Sequence, residues 1–369
     1  MCTNKIYNRL MENPLGTIAI LGSGETSPNL VGVHRELLSD INNSSNAYMI
    51  DSPFGFQENA NQLVEKIIDF YKVSLNVDMK LATYRKIEEL HSKSFFKSIQ
   101  LLENASFIFA GPGSPSYASK LWYGNEFQQT LKNHLINGNN SLFASAAAST
   151  LGEYTLPVYE IYKVGQDPYW EKGLNILDVY GLSCTVVPHF NNAEGGNHDT
   201  SFSYVGENRM KTLLDKSYSN ILGIDEHTAL IISGKNEKFK VVGLGNVTVL
   251  NKDGTHIFEN DSEERLDTLQ KLLISDKKSS AKKIESIETE INSADNSTIK
   301  EIANLEIQIE SNKKNNERFE MLVENLIQLR SKLRNEKKYE LSDEVRDILK
   351  SSGLQIEDSE QGIQWKVIE

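Results

Sequence analysis

Short apolar runs in the first half of the chain each stop at a cluster of small or turn-forming residues, and this repetition limits the folds open to it. Thr17-Ile-Ala-Ile-Leu21 ends in Gly22-Ser-Gly-Glu-Thr26, and Tyr48-Met-Ile-Asp51 ends in Ser52-Pro-Phe-Gly55. Ser106-Phe-Ile-Phe-Ala110 runs into Gly111-Pro-Gly-Ser-Pro115, and Ser141-Leu-Phe-Ala-Ser145 into Ala146-Ala-Ala-Ser149. Short runs of this kind, bounded by turn residues, read as strands buried on both faces of a parallel sheet. Residues 57–72 carry apolar side chains at helical spacing. Strands alternating with helices predict an α/β fold, a mostly parallel sheet flanked by helices, with functional loops at the carboxyl ends of the strands. Later runs follow at Cys184–Val187, Ile221–Ile224, Thr228–Ile232 and Lys240–Gly243. The last three are predicted to be hairpin-type strands that close the domain, which the 245–250 strand and a turn at Asn251–Gly254 complete.

Composition changes after about residue 262. Residues 276–320 are rich in Lys, Glu, Ser, Asn and Ile and contain no Gly or Pro; Ile284, Ile287 and Ile291 recur at helical spacing. This predicts a helical or coiled-coil spacer over 263–316, either a solvated connection or a contact that makes a homodimer. Leu322, Leu326, Leu329 and Leu333, then Leu341, Val345 and Ile348, give inner faces to two further helices, with Gly353 as a stop. The expected organisation is therefore 1–262, 263–316 and 317–369.

The net charge of −12 argues against a cationic shell that grips nucleic acid without specificity. Cys2 and Cys184 are too few for a disulfide framework or a zinc site, which points to a reducing compartment. The polar start lacks a signal core, and no apolar run reaches membrane-spanning length, so the expectation is a cytoplasmic protein without a membrane partner.

Ser145 sits where a strand turns into a helix, an elbow that exposes a hydroxyl while the following helix directs backbone N–H groups at developing negative charge. A serine between alanines is also ordinary packing. The hydroxyl needs a base, and His189 follows the strand Val186-Val-Pro188. Asn191 follows it closely, and Asp225, Glu226 and His227 crowd a strand junction; these four read as a site wall or as a hydrogen-bond knot.

The order of these motifs resembles peptidase S51, the group of dipeptidase E and cyanophycinase within the class I glutamine amidotransferase-like superfamily, over roughly residues 15–255. Gly111-Pro-Gly-Ser-Pro-Ser116 is similar to the group's Gly-rich loop, Ser145-Ala-Ala-Ala148 to its nucleophile stretch, Pro188-His189-Phe190 to the segment around its histidine, and Ile224-Asp-Glu-His-Thr-Ala229 to its Asp-Glu-x-Thr-Ala segment. The resemblance implies Ser145 as nucleophile, His189 as base and Glu160 as the acidic third member. It also implies an oxyanion or substrate loop of Gly111, Gly113, Ser114 and Ala146, a small peptide or amide substrate, and no metal or organic cofactor. The chain departs from the elbow pattern at Phe143 and Ala147, where glycines are usual, and at Pro112, which removes an amide donor.

Leu329-Arg330, Arg346-Asp347, Gly353, Asp358, Gly362 and Trp365-Lys366 resemble the extreme C-terminus of cysteinyl-tRNA synthetase. That resemblance implies tRNA as a partner, with Arg330, Arg334, Lys337, Arg346 and Lys366 on phosphates and Trp365 stacked on a base. Two functional readings follow. One is a serine hydrolase with an appended module that targets it to tRNA or to a protein partner. The other is an α/β ligand-binding scaffold that has lost turnover, whose tail carries the function.

Overall fold

The computed structural model describes residues 14–39, 46–216 and 219–273, the single residues 331, 334, 339, 343 and 346, and the strands 354–359 and 362–367. The chain divides into two units, Met1–Ser279 and Ser280–Glu369.

In the first unit the chain runs β1 (Thr17–Leu21), α1 (Val31–Ser39), β2 (Ala47–Ile50), α2 (Ala60–Leu75), β3 (Lys80–Ala82), α3 (Lys93–Glu103), β4 (Phe107–Ala110), α4 (Pro115–Trp122) and α5 (Glu126–Ile136). It continues through β5 (Asn140–Ala144), α6 (Ala146–Ser149), β6 (Tyr154–Thr155), α7 (Val158–Tyr162), β7 (Glu171–Lys172) and β8 (Cys184–Val187). The last stretch is α8 (Glu207–Lys216), β9 (Asn220–Ile224), β10 (Thr228–Ser233), β11 (Lys238–Gly243), β12 (Val247–Asn251), β13 (Gly254–Phe258), β14 (Glu263–Arg265) and α9 (Leu266–Leu272).

The main sheet has the order β14-β11-β10-β1-β5-β4-β2-β3. Its five strands from β1 to β3 are parallel, while β10, β11 and β14 join antiparallel beside β1. The expected mixed α/β architecture, a largely parallel sheet between helices, is the one observed. Both faces of the parallel part are buried, which is why its strands read as continuous apolar runs. Ile18, Ile20, Ile108 and Phe143 face one core with α3, α4 and α5. Ala19, Leu21, Phe109 and Leu142 face the other with α1 and α2. In α2 the buried Ala60, Val64, Ile67 and Tyr71 follow helical spacing, and Asn76 ends the helix in the left-handed conformation.

Two expectations need correction. The run 220–224 does not form a hairpin with 228–233. It lies in a second sheet, β13-β12-β9-β8, parallel to β8. The chain changes sheets at Asp225–His227, because β9 pairs with β8 and β12 while β10 pairs with β1 and β11. The boundary at residue 262 also moves. β14 pairs with β11, and Leu266, Leu269 and Leu273 are buried in the first core, so this unit extends past it.

In the second unit Leu354–Ser359 (β15) and Gly362–Val367 (β16) form an antiparallel hairpin with Ile356 opposite Trp365. Arg334 and Arg346 are helical and exposed. Arg330, Lys337 and the spacer isoleucines lie outside the described residues. Among the described residues, no helix is long and apolar enough to cross a membrane.

Candidate active site

The carboxyl ends of β1, β5, β8 and β9 converge. Ser145, directly after β5, has φ 51° and ψ −117°. This is a region that side-chain-bearing residues rarely occupy, at a cost of about 1–3 kcal/mol. Its amide donates to the Leu21 carbonyl at 3.0 Å, and the His189 amide donates to the Gly22 carbonyl at 3.3 Å. Backbone contacts at the end of β1 thus hold the serine and the histidine side by side. The Ser145 hydroxyl lies 2.9 Å from His189 Nε2.

The departures at the elbow are absorbed by the core. Phe143 is 1% exposed and points into the cluster with α3, α4 and α5, and Ala147 is fully buried. Neither side chain enters the turn at Ser145. In the preceding loop, Ser114 caps α4 by accepting from the Tyr117 amide, with Pro115 following at the first helical turn. Gly113 has φ 145°, and a Cβ there would fall 2.0 Å from the Pro53 carbonyl, so only glycine fits. Asp51, which precedes the Pro53 turn, ties the end of β2 to the segment after β3. It is fully buried, paired with Arg85 at 2.6 Å, and accepts from Thr83 Oγ1 at 2.9 Å. Gly111 accepts from the Ala147 amide at 3.3 Å. Neither the Gly113 nor the Ala146 amide donates to an acceptor among the described residues.

Glu160 does not reach the histidine. It lies on α7, and its Oε1 accepts from Ser116 Oγ at 2.7 Å. Its Oε2 is buried without a partner among the described residues. With Phe56, Ser116, Tyr117, Lys120 and Glu171 it lines a cleft of about 570 Å³ beside the Gly-rich loop. The carboxylate on His189 is Glu226, with Oε1 2.7 Å from Nδ1. Asn192 Nδ2 donates to the same oxygen at 2.8 Å, and Asn191 Oδ1 accepts from the Glu226 amide at 2.8 Å. Burial raises the Glu226 carboxyl, but the hydrogen bonds from His189 and Asn192 and the charges of His189 and His227 outweigh it, leaving it below its ordinary value. An ionised Glu226 holds the proton on Nδ1 and leaves Nε2 as acceptor for the Ser145 hydroxyl.

The other wall residues have different places. Asp225 is buried and accepts from the Asn246 amide at 2.8 Å; burial raises its carboxyl, against that hydrogen bond. It ties β9 to the strand beyond. The His227 amide donates to Ser23 Oγ at 3.1 Å, which joins the sheet crossing to the loop after β1. That loop brings in Glu25, which stands in the sequence only as part of a strand-ending turn. Burial raises its carboxyl, opposed by its own backbone hydrogen bond and by the charges of His189 and His227.

A second missed residue is Tyr204. Its ring centroid is 5.8 Å from that of His189, and its hydroxyl donates to Glu194 Oε2 at 3.0 Å. Burial and then Glu194 push its phenol up to about 12. Phe202, Ser203 and Tyr204 have successive φ values of 55°, 59° and 69°. Each residue in that conformation costs roughly 1–2 kcal/mol. Among the described residues, no group of His, Cys, Asp and Glu side chains is arranged to hold a metal ion.

No known family profile matches the chain. A crystal structure of a peptidase from an acI-B1 actinobacterium superposes on 69% of this chain and 98% of its own, with a TM-score of 0.55 and 20% sequence identity. At that identity the likeness shows the fold. The cysteine–tRNA ligase of Thermococcus kodakarensis is 47% identical over 49 residues, which are 13% of this chain and 10% of the ligase. That of Carboxydothermus hydrogenoformans is 50% identical over 44 residues, 12% of this chain and 10% of the ligase. The chain thus spans about one-tenth of the curated relatives it matches.

Proposed function

We propose that the first unit is a serine hydrolase that cleaves a peptide, isopeptide or amide bond. Ser145 attacks the carbonyl, and His189 takes its proton and returns it to the leaving amine. Glu226 fixes the imidazole tautomer and offsets its charge when protonated. The Gly113 and Ala146 amides, without acceptors among the described residues, supply donors for the oxyanion. Water then releases the acyl group by the same steps in reverse. The observation that carries this reading is the unbroken relay Ser145–His189–Glu226, with links of 2.9 and 2.7 Å. A fold shared with a peptidase supports it.

The test is a mass-spectrometric screen of short peptides and isopeptides with the wild-type chain and Ser145→Ala. Cleavage lost in the variant supports the reading. A folded wild type that cleaves nothing leaves the α/β unit as a ligand-binding scaffold.

The second unit is proposed as a targeting module that contacts tRNA, a reading supported by the sequence similarity to cysteine–tRNA ligases. Arg334→Glu with Arg346→Glu would weaken tRNA binding by the full chain and flatten its salt dependence. Binding unchanged by the pair counts against the module's role.

A further inference from the structure

None of the three residues with positive φ at Phe202–Tyr204 is glycine, so the turn is strained even though the Tyr204 and Gly206 amides close it on the Thr200 and Ser201 carbonyls at 2.9 Å. Two further hydrogen bonds of the turn lead to the site. The Ser203 amide donates to the His189 carbonyl at 3.1 Å, and the Phe202 amide to the Phe190 carbonyl at 2.9 Å. The Phe202 ring meets Phe190 edge-on at 4.7 Å. Phe190 in turn lies over Gly223, where a Cβ would come within 2.3 Å of its ring, and its amide donates to the Ile224 carbonyl at 3.1 Å. The backbone at His189 and Phe190 is therefore gripped from β9 on one side and from the strained turn on the other.

The side chain of His189 has a related need. Its hydrogen bonds to Ser145 and Glu226 use the two ring nitrogens. Both lie in the plane of the imidazole, so motion of the ring out of that plane is resisted by its tether at Cβ and by whatever packs on its faces. A group packed beside the ring narrows that freedom further. Tyr204 is such a group, tilted 48° to the imidazole at 5.8 Å and held at its far end by Glu194.

We propose that Tyr204 is a positioning residue for His189 and that the strained turn Phe202–Tyr204 exists to present it. The geometric part stands without any reaction; its kinetic part rests on the proposed role of His189 as base. The strain is what places the turn's amides on the two carbonyls and the tyrosine ring against the imidazole. Orientation of a base to within a fraction of an ångström is worth large factors in rate, which is what such a restraint would secure.

The experiment uses the full chain and two independent readouts. One is the low-field proton resonance of His189 Nδ1–H on Glu226, assigned by its loss in Glu226→Gln. The other is the rate of labelling by a fluorophosphonate probe, resolved into reversible binding and the chemical step. Tyr204→Phe keeps the ring against the imidazole but gives up the Glu194 hydrogen bond, so the resonance persists and the chemical step falls by no more than about tenfold. Tyr204→Ala frees the imidazole, so the resonance broadens into exchange and the chemical step slows roughly 30- to 100-fold with binding little changed. Ser203→Gly, which suits φ 59°, retains both signals. If Tyr204→Ala does not fold, Tyr204→Leu replaces it. A folded Tyr204→Ala or Tyr204→Leu chain that keeps a sharp resonance overturns the proposal, as does a wild type without one. A wild type that shows the resonance but takes no label overturns the hydrolase reading and leaves the geometric proposal to be decided by the resonance.

Discussion

The two halves of the candidate site are held by different means. The nucleophile half is a backbone device. Ser145 is set by a strained φ, by an amide bond to β1 and by a core that swallows Phe143. The acid half is a side-chain device. Glu226 reaches His189 from a turn between two sheets, steadied by Asn191 and Asn192. A position defined by backbone tolerates changes in neighbouring side chains as long as they point into the core. A position defined by side-chain hydrogen bonds does not. That contrast explains how the chain departs from the glycine pattern of the elbow without distorting the relay.

Swapping the two candidate carboxylates attacks the contrast where the effect is largest. Glu226→Gln should slow fluorophosphonate labelling by about 10³–10⁴, because the amide holds the wrong tautomer of the histidine. Glu160→Gln, on Ser116 and away from the imidazole, should stay within about threefold with the same small probe. Comparable losses in both variants would erase the distinction between the halves.

Phe143→Ala should destabilise the fold by about 3–5 kcal/mol in chemical denaturation. The folded fraction should still label at Ser145, since this side chain supports the core and not the turn. A stable variant that no longer labels would show that the side chain shapes the elbow after all.

Acid should weaken the scaffold before it discharges Glu226. Burial lowers His34 and His134 to about 4, from an ordinary 6.5. The unfolded chain binds these protons more readily, so stability rises with pH between about 4 and 6.5, and is lost as pH falls through that window. Glu226 is held below its ordinary value, so it remains a carboxylate over most of the same range. Melting temperatures measured across it should fall with pH. Replacing His134 by Gln should flatten the slope, by the order of 1–3 kcal/mol.

The smallest effect tests the elbow itself. Ser145→Gly should raise stability by about 1 kcal/mol, because glycine accepts the positive φ. Ser145→Ala should not. Equal stability of the two variants would mean that the turn stores no strain.

Much of this arrangement is legible in the amino-acid sequence. The apolar runs mark β1, β2, β4 and β5, because strands buried on both faces must be apolar throughout. Ser145 and His189 are legible because both follow such runs directly. The acid is not. Glu160 stands at an inviting distance after the serine, but α7 turns it to Ser116. The choice of Glu226 depends on a chain crossing between sheets, which no local spacing reveals. Its segment, Asp225-Glu226-His227, stands as a cluster of charge between two apolar strands, and that is the available signal. Tyr204 was hidden for a related reason, since nothing in Phe202-Ser-Tyr204 announces three positive φ angles. The two likenesses also differ in kind. The likeness to the peptidase structure is one of fold, at 20% identity, whereas the likeness to cysteine–tRNA ligases is one of sequence, 47% over 49 residues.

Whether the relay is live is decided most directly by labelling the full chain with a fluorophosphonate and mapping the adduct by mass spectrometry, with Ser145→Ala and His189→Ala alongside. The geometry predicts a single adduct on Ser145 that is absent from Ser145→Ala and strongly slowed in His189→Ala. An adduct elsewhere, or labelling of wild type and His189→Ala at equal rates, would contradict it.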